Sequence, residues 1–125
     1  AKIEKARASD KAHQNLGDTF IEWGIPTAVS VFEVAQVRKG PVIATGGLKN
    51  GLDAAKAIAL GADLAGMALT LLPSALEGKD ALFERIETIC GELKTAMFLT
   101  GATNISELAN VRYYLTGTVR EMTNK

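Results

Sequence analysis

Two short apolar runs, each ending in small residues, place the strongest constraint on how this chain folds. The first is PVIAT at residues 41–45, followed at once by Gly46 and Gly47, and the second is LAGMA at residues 64–68. Both runs are continuously apolar rather than alternating, which is typical of strands buried on both faces, as in parallel sheets. A helix predicted between them completes a strand–helix–strand unit with parallel strands.

Capping residues set the expected helix boundaries. Asn50 is predicted to cap the helix between the strands, with Asp53 in its first turn near the positive end of the helix dipole. Thr27 and Asp80 are expected to cap two others. In the long helix that follows Asp80, an apolar stripe that includes Cys90 is predicted to face the core. The expected helices cover residues 28–37, 51–60, 69–76 and 81–99, and Gly101 is expected to close the last of these. Asn104 or Ser106 is expected to open a short helix through Leu108, and a final turn or two is expected between Leu115 and Met122.

Composition excludes several classes of protein. Among 125 residues, 14 are basic and 14 are acidic, so nothing indicates the one-sided basic surface that selects nucleic acid or an anionic membrane. The sequence has no apolar run long enough to cross a membrane, and we expect residues 1–5 not to be part of a secretory signal, because they include no apolar segment. Its single cysteine cannot form an internal disulfide, which suits a reducing cytosol. The lone His13 lies in a polar stretch, where we expect it to be solvated.

Two strands are too few for a stable sheet, and both would have open edges. The fold class that we predict is therefore α/β, as one part of a barrel and not a complete barrel by itself. Residues 1–15 are expected to be a mobile charged loop. Residues 16–125 are expected to form the C-terminal part of a single barrel domain, completed by a missing N-terminal half or by another chain.

The glycine pair has the chemistry of an anion site. Gly46 and Gly47 allow a sharp turn at the end of a strand and can present N–H groups without side-chain bulk. The N-terminus of the next helix lies nearby with its positive dipole. In (β/α)8 barrels, phosphate sites commonly use the loops after strands 7 and 8 with a short extra helix. The order of elements here fits that arrangement, whereas the glycine spacing does not fit a dinucleotide-binding fold or a P-loop.

Three segments together resemble the C-terminal part of type 2 isopentenyl diphosphate isomerase. They are LGDTFIEWGIPTA at residues 16–28, ATGGLKNGLDAAKAIALGAD at residues 44–63 and ELKTAMFLTG at residues 92–101. The likeness extends in order from about Leu16 to Arg120. The glycine segment alone would also suit other flavin barrels, such as 2-hydroxy-acid oxidases.

The resemblance implies that the chain is the C-terminal portion of a (β/α)8 barrel, comprising about strands 7 and 8 with their flanking helices. It further implies a cytoplasmic, homo-oligomeric FMN-dependent enzyme that interconverts isopentenyl and dimethylallyl diphosphate. It implies a need for reduced FMN, for Mg²⁺ and for NAD(P)H or another reductant. It assigns the binding of the FMN phosphate to the backbone groups of five residues: Gly46, Gly47, Leu48, Met67 and Ala68. Thr45 is a secondary candidate.

The same resemblance places the catalytic side chains and the magnesium ligands on the half of the barrel that this sequence lacks. No catalytic or metal-binding residue is therefore predicted here. Thr70 departs from the family, which usually has proline at this position, and we expect the change to leave the phosphate donors unaffected. Two alternatives stay open: an FMN-dependent oxidoreductase of the 2-hydroxy-acid oxidase type, and a non-catalytic phosphate-binding half-barrel.

Overall fold

The computed structural model describes residues 11–123. In chain order, its helices and strands are α1 (Lys11–Thr19), α2 (Thr27–Val37), β1 (Ile43–Thr45), α3 (Gly51–Ala59), β2 (Leu64–Gly66), α4 (Leu72–Glu77), α5 (Lys79–Thr100), α6 (Ile105–Leu108) and α7 (Gly117–Thr123). None of the helices in this part of the chain combines the length and the hydropathy that a membrane crossing requires.

The sheet of the described residues consists of β1 and β2, which pair in parallel. The register sets Ile43 opposite Leu64, Ala44 opposite Ala65, and Thr45 opposite Gly66. The crossover between the strands is α3, as predicted. The two-stranded sheet agrees with the expected α/β class and does not form a closed barrel by itself.

Helix α3 lies between two apolar clusters, and its alanines contribute to both. Ala57 belongs to the first cluster, which also contains Val31 of α2 and Ala44 of β1. Ala55 and Ile58 belong to the second, which also contains Ala96 of α5 and Leu108 of α6. Small side chains on both sides allow α3 to approach its neighbours closely, and the resulting burial is the main favourable contribution to folding.

The prediction that β1 is buried on both faces is wrong for this chain. Ala44 is 2% exposed, but Ile43 is 60% exposed and its register partner Leu64 is 59% exposed. Side chains alternate between the faces of a strand, so paired residues share a face. Helices cover the Ala44 face, and among residues 11–123 no element covers the face that carries Ile43 and Leu64.

Several expected boundaries also differ. Residues 11–15 form the start of α1 rather than a loop, because lysine, alanine and glutamine favour helix; residues 1–10 lie outside the described residues. Thr27 is the first residue of α2 rather than its cap, and Asp80 lies inside α5, whose N-cap position is Gly78. Cys90 is exposed, because the described residues leave its face of α5 uncovered.

Other local predictions are confirmed. The Asn50 side chain accepts a hydrogen bond from the Asp53 amide and caps α3. Gly101 ends α5 in the left-handed conformation, with φ of 75°. Asn104 caps α6 by accepting from the amide of Glu107. Each of these caps depends on residues within four positions of one another along the chain.

Candidate functional site

The loops that follow β1 and β2 lie side by side, because the two strands are parallel neighbours. Gly46 has φ of 98° and Gly47 has φ of 77°, a conformation that side-chain-bearing residues rarely adopt. An added Cβ at Gly66 would lie 3.2 Å from both Cβ and Oγ1 of Thr45, so the chains also approach closely where the strands end. The glycines therefore have a backbone role at this end of the sheet.

The amide groups of the predicted phosphate residues make no hydrogen bond outside the strand ladder in the described structure. The parallel pairing of Thr45 with Gly66 directs the Gly46 N–H towards the Gly66 carbonyl oxygen. Otherwise the backbone N–H groups of the five residues donate to no atom of residues 11–123: Gly46, Gly47, Leu48, Met67 and Ala68. The first three and Ala68 lie on exposed or half-buried loop backbone. Consecutive free amides on a glycine-rich loop are the groups that bind an anion.

The carbonyl groups of the first loop are, by contrast, mostly hydrogen bonded. Thr27 Oγ1 donates to the Gly46 carbonyl oxygen at 2.8 Å, and Arg85 Nη2 donates to that of Lys49 at 2.8 Å. A carbonyl oxygen carries partial negative charge and would repel a phosphate oxygen. Donors from α2 and α5 therefore occupy the groups of this loop that disfavour an anion.

A third side-chain donor, the Thr70 hydroxyl, joins the two loops. Thr70 Oγ1, three residues beyond Met67, donates to the carbonyl oxygen of Leu48 at 2.7 Å. The Leu48 side chain packs against the first apolar cluster, and this contact anchors the loop to the core. The loop after β2 is thus bonded directly to the loop after β1.

The N-terminus of α3 is held next to the first loop by two carboxylates. Asp53 Oδ2 accepts from the Lys49 amide at 3.0 Å, and Glu92 Oε2 of α5 accepts from the Gly51 amide at 2.6 Å. An added Cβ at Gly51 would lie 2.1 Å from the carbonyl oxygen of Ile89. Only glycine fits at this contact between α3 and α5.

The five predicted residues do not line a single cavity. Gly46, Gly47 and Leu48 line a groove of about 230 Å³ between α2 and α3. Met67 lines a different, mostly apolar groove of about 450 Å³ that runs along α5. The structure brings the two loops together through the Thr70–Leu48 hydrogen bond rather than around a shared enclosed space.

The opposite end of the sheet has a different chemistry. Asp63, just before β2, accepts from the Val42 amide at 2.7 Å and forms an ion pair with Arg38. The Val42 hydrogen bond, followed by the Arg38 charge, lowers the pKa of Asp63 below its usual value. At this end a carboxylate therefore accepts from the backbone amide that leads into β1.

Sequence reasoning misses Thr27, Thr70, Arg85 and Glu92 as neighbours of the loop. The sequence predicts Thr27 as a cap and the change at Thr70 as without effect on the phosphate donors, whereas both hydroxyls bond to loop carbonyls. The one available signal is the unusual Thr70 itself. In the described part of the chain, no group of three or more metal-ligating side chains lies close enough together to hold a metal ion.

Comparison with known proteins identifies the class. Residues 24–114 match the family of FMN-dependent dehydrogenases, so the chain belongs to that family. Its similar relatives are called isopentenyl-diphosphate delta-isomerases. The relative from Methanoregula boonei is 49% identical over 97% of this chain, and those from Methanocaldococcus jannaschii and Methanococcus maripaludis are 45% and 44% identical over 97% and 96% of it.

These matches confirm the resemblance expected from the three sequence segments. They also set its extent, because the alignments cover 33%, 34% and 34% of those three relatives. The chain thus spans about a third of the length of the curated relatives that it matches.

Proposed function

We propose that this chain is the C-terminal part of an FMN-dependent isomerase that interconverts isopentenyl and dimethylallyl diphosphate. The observation that carries the proposal is the 49% identity, over nearly the whole chain, to a relative with that name. Membership of a flavin-dependent family supports FMN as the cofactor. The proposed function includes the Mg²⁺ and NAD(P)H requirements that the resemblance implies, in a cytoplasmic homo-oligomer.

The role that we assign to this chain is to bind the phosphate of FMN. The N–H groups of Gly47 and Leu48, which have no partner within residues 11–123, together with those of Gly46, Met67 and Ala68, would donate to its oxygens. The positive-φ glycines and the bonded carbonyls fit such an anion. Reduced FMN, when bound, supplies the group that moves a proton on the allylic substrate. The isoprenoid diphosphate itself would be bound by residues outside this chain.

The exposed face of the sheet supports the proposal that further strands complete a barrel. Ile43 and Leu64 are large apolar side chains on one face, and both are more than half exposed. In a (β/α)8 barrel the corresponding face packs against side chains of the other strands. We therefore propose the N-terminal two thirds of the same barrel as the partner that covers this face.

A chimera tests the proposed function directly. In the Methanoregula chimera, this chain replaces the matching segment of the Methanoregula boonei relative. After loading with FMN and reduction by NADPH or dithionite, with Mg²⁺ present, we expect conversion of isopentenyl to dimethylallyl diphosphate. The oxidised chimera and the unmodified relative serve as the negative and positive controls.

Two results would contradict the isomerase. A folded, flavin-loaded chimera that oxidises 2-hydroxy acids and leaves isopentenyl diphosphate unchanged would favour the oxidoreductase alternative. A folded chimera that binds inorganic phosphate but takes up no flavin would favour the non-catalytic half-barrel. Circular dichroism establishes in both cases that the chimera is folded.

A further inference from the structure

Thr70 provides the described hydrogen bond between the two loops of the proposed phosphate site. Its hydroxyl reaches the Leu48 carbonyl oxygen across 22 positions of sequence, at 2.7 Å, from a half-buried location. The bond therefore joins two segments that are distant in sequence.

Peptide planarity explains what this bond controls. The carbonyl of one residue and the N–H of the next belong to one rigid plane and point to opposite sides of it. In the plane between Leu48 and Lys49, Thr70 donates to the carbonyl and Asp53 accepts from the N–H. Both ends of this plane are thus held by side chains.

A second peptide plane, the one between Gly46 and Gly47, is also held by a side chain. Thr27 donates to the carbonyl of Gly46, which directs the N–H of Gly47 away from α2. The Leu48 N–H lies between the two fixed planes. Two hydroxyls and one carboxylate therefore set the direction of consecutive amides in a loop whose glycines would otherwise leave it mobile.

We propose that Thr70 is a positioning residue for the phosphate of the cofactor. By bonding to the Leu48 carbonyl it keeps the amides after β1 and those after β2 in one relative arrangement, and it turns that carbonyl away from the anion. The inference rests on the proposed function, because it requires that FMN binds at these loops. Thr70 touches neither substrate nor cofactor in this role.

Comparing FMN with riboflavin, which lacks the phosphate, isolates the effect. The binding of each flavin to the apo form of the Methanoregula chimera is measured by flavin fluorescence, for the parent chimera and for Thr70→Val. Valine has nearly the shape of threonine but cannot donate. We expect FMN binding about 3- to 10-fold weaker, as befits one neutral hydrogen bond, and unchanged riboflavin binding.

Two further variants separate positioning from general loss of structure. Thr70→Ser retains the hydroxyl and should restore FMN affinity to within about 2-fold of the parent. Thr88→Val makes the same substitution on α5, where the hydroxyl bonds only to the Glu84 carbonyl of its own helix. That control should bind both flavins as the parent does.

The outcomes distinguish the inference from the function on which it rests. An equal loss of FMN and riboflavin affinity in Thr70→Val, no loss of either, or failure of Thr70→Ser to restore binding would overturn the positioning role alone. A folded parent chimera that binds no FMN would contradict the proposed function, and the role of Thr70 would fall with it.

Discussion

The two ends of the small sheet handle the same backbone groups in opposite ways. At the end where β1 and β2 begin, the Asp63 carboxylate accepts from the Val42 amide and pairs with Arg38. At the end where the strands finish, hydroxyl groups donate to the carbonyls of Gly46 and Leu48, and no carboxylate of residues 11–123 accepts from the amides of Gly47 and Leu48. Carboxylates accept further along this loop instead, at Lys49 and Gly51. One end thus has a carboxylate at the amide that precedes the strand, and the other leaves two amides close to the strand available for the proposed anion.

The difference agrees with the division of labour in α/β barrels. Ligands bind at the carboxyl ends of the strands, whereas the other end serves mainly stability. In this chain the two ends of the sheet differ in the same sense in the hydrogen bonds of their backbone groups. Changes at the Asp63 end should therefore alter stability without affecting flavin binding, and changes at the Gly47 end should do the reverse.

The largest effect should come from Gly51, which supports the binding end. Gly51→Ala would place a methyl group 2.1 Å from the Ile89 carbonyl oxygen and separate α3 from α5. We expect a loss of about 3 kcal/mol or more in the free energy of unfolding, measured by urea denaturation of the Methanoregula chimera.

Gly91 of α5 is the matched control for that substitution. It is also helical, but no heavy atom lies within 4 Å of an added Cβ. Gly91→Ala should stabilise the protein by about 0.5–1 kcal/mol, because alanine favours helix over glycine. Equal stabilities for the two variants would contradict the close contact of α3 and α5.

Gly47 should affect binding more than stability. Gly47→Ala forces a side chain into φ of 77° with open space around it, which costs about 1–2 kcal/mol. FMN affinity of the chimera should fall at least about 10-fold, measured by flavin fluorescence, because the loop amides change direction. Gly24→Ala, in open space without positive φ, should leave binding unchanged. Parental affinity in the Gly47→Ala variant would remove this loop from the site.

Asp63 should make stability depend on acidity. Its pKa is lowered in the folded state, so the stabilisation is fully present above the ordinary aspartate value near about 4 and is lost as the pH falls through the lower folded value. Asp63→Asn should melt at a lower temperature at pH 7 and lose less on acidification to about pH 2.5. Thermal melts of the chimera at several pH values measure this.

Glu87→Gln, an exposed change on α5 away from Asp63, is the control for the substitution of a carboxylate by an amide. FMN affinity at pH 7 should be the same in Asp63→Asn as in the parent. A weaker FMN affinity in that variant would contradict the prediction that the Asp63 end affects stability without affecting flavin binding. Parallel melting curves for Asp63→Asn and the parent would contradict the assigned role of the carboxylate.

The smallest effect should come from Arg38, the exposed partner of Asp63. Arg38→Met removes the charge but retains the Val42 amide, which is the larger cause of the lowered pKa. The melting temperature should fall less than in Asp63→Asn, and the difference from the parent should shrink in 1 M salt because exposed pairs are screened. A greater fall than in Asp63→Asn would reverse the ranking of the two partners.

The sequence predicted those parts of the fold that depend on neighbours along the chain. Asn50 and Asp53 are three residues apart, and an N-cap motif needs nothing else. The strands at Ile43–Thr45 and Leu64–Gly66 followed from apolar runs bounded by glycine and proline. Such signals are local, so a single sequence carries them in full.

The hydrogen bonds around the loop were not predictable in this way. Thr27 lies 19 positions from Gly46, and Arg85 lies 36 from Lys49. A threonine at a helix start looks like a cap whether its hydroxyl bonds to its own helix or to a distant carbonyl. The exposure of Ile43 was missed for a related reason, since an apolar run does not state which of its faces the same chain covers.

The alanine-lined position of α3 has a consequence for how the molecule opens. Ala57 packs into one apolar cluster, whereas Ala55 and Ile58 pack into the other. Helix α3 therefore contributes buried side chains to both clusters. Neither cluster can be hydrated without displacing α3. Amide hydrogens of α3 and those of α5 around Ala96 should therefore exchange with solvent through one shared opening, with equal protection factors, rather than as two independent units.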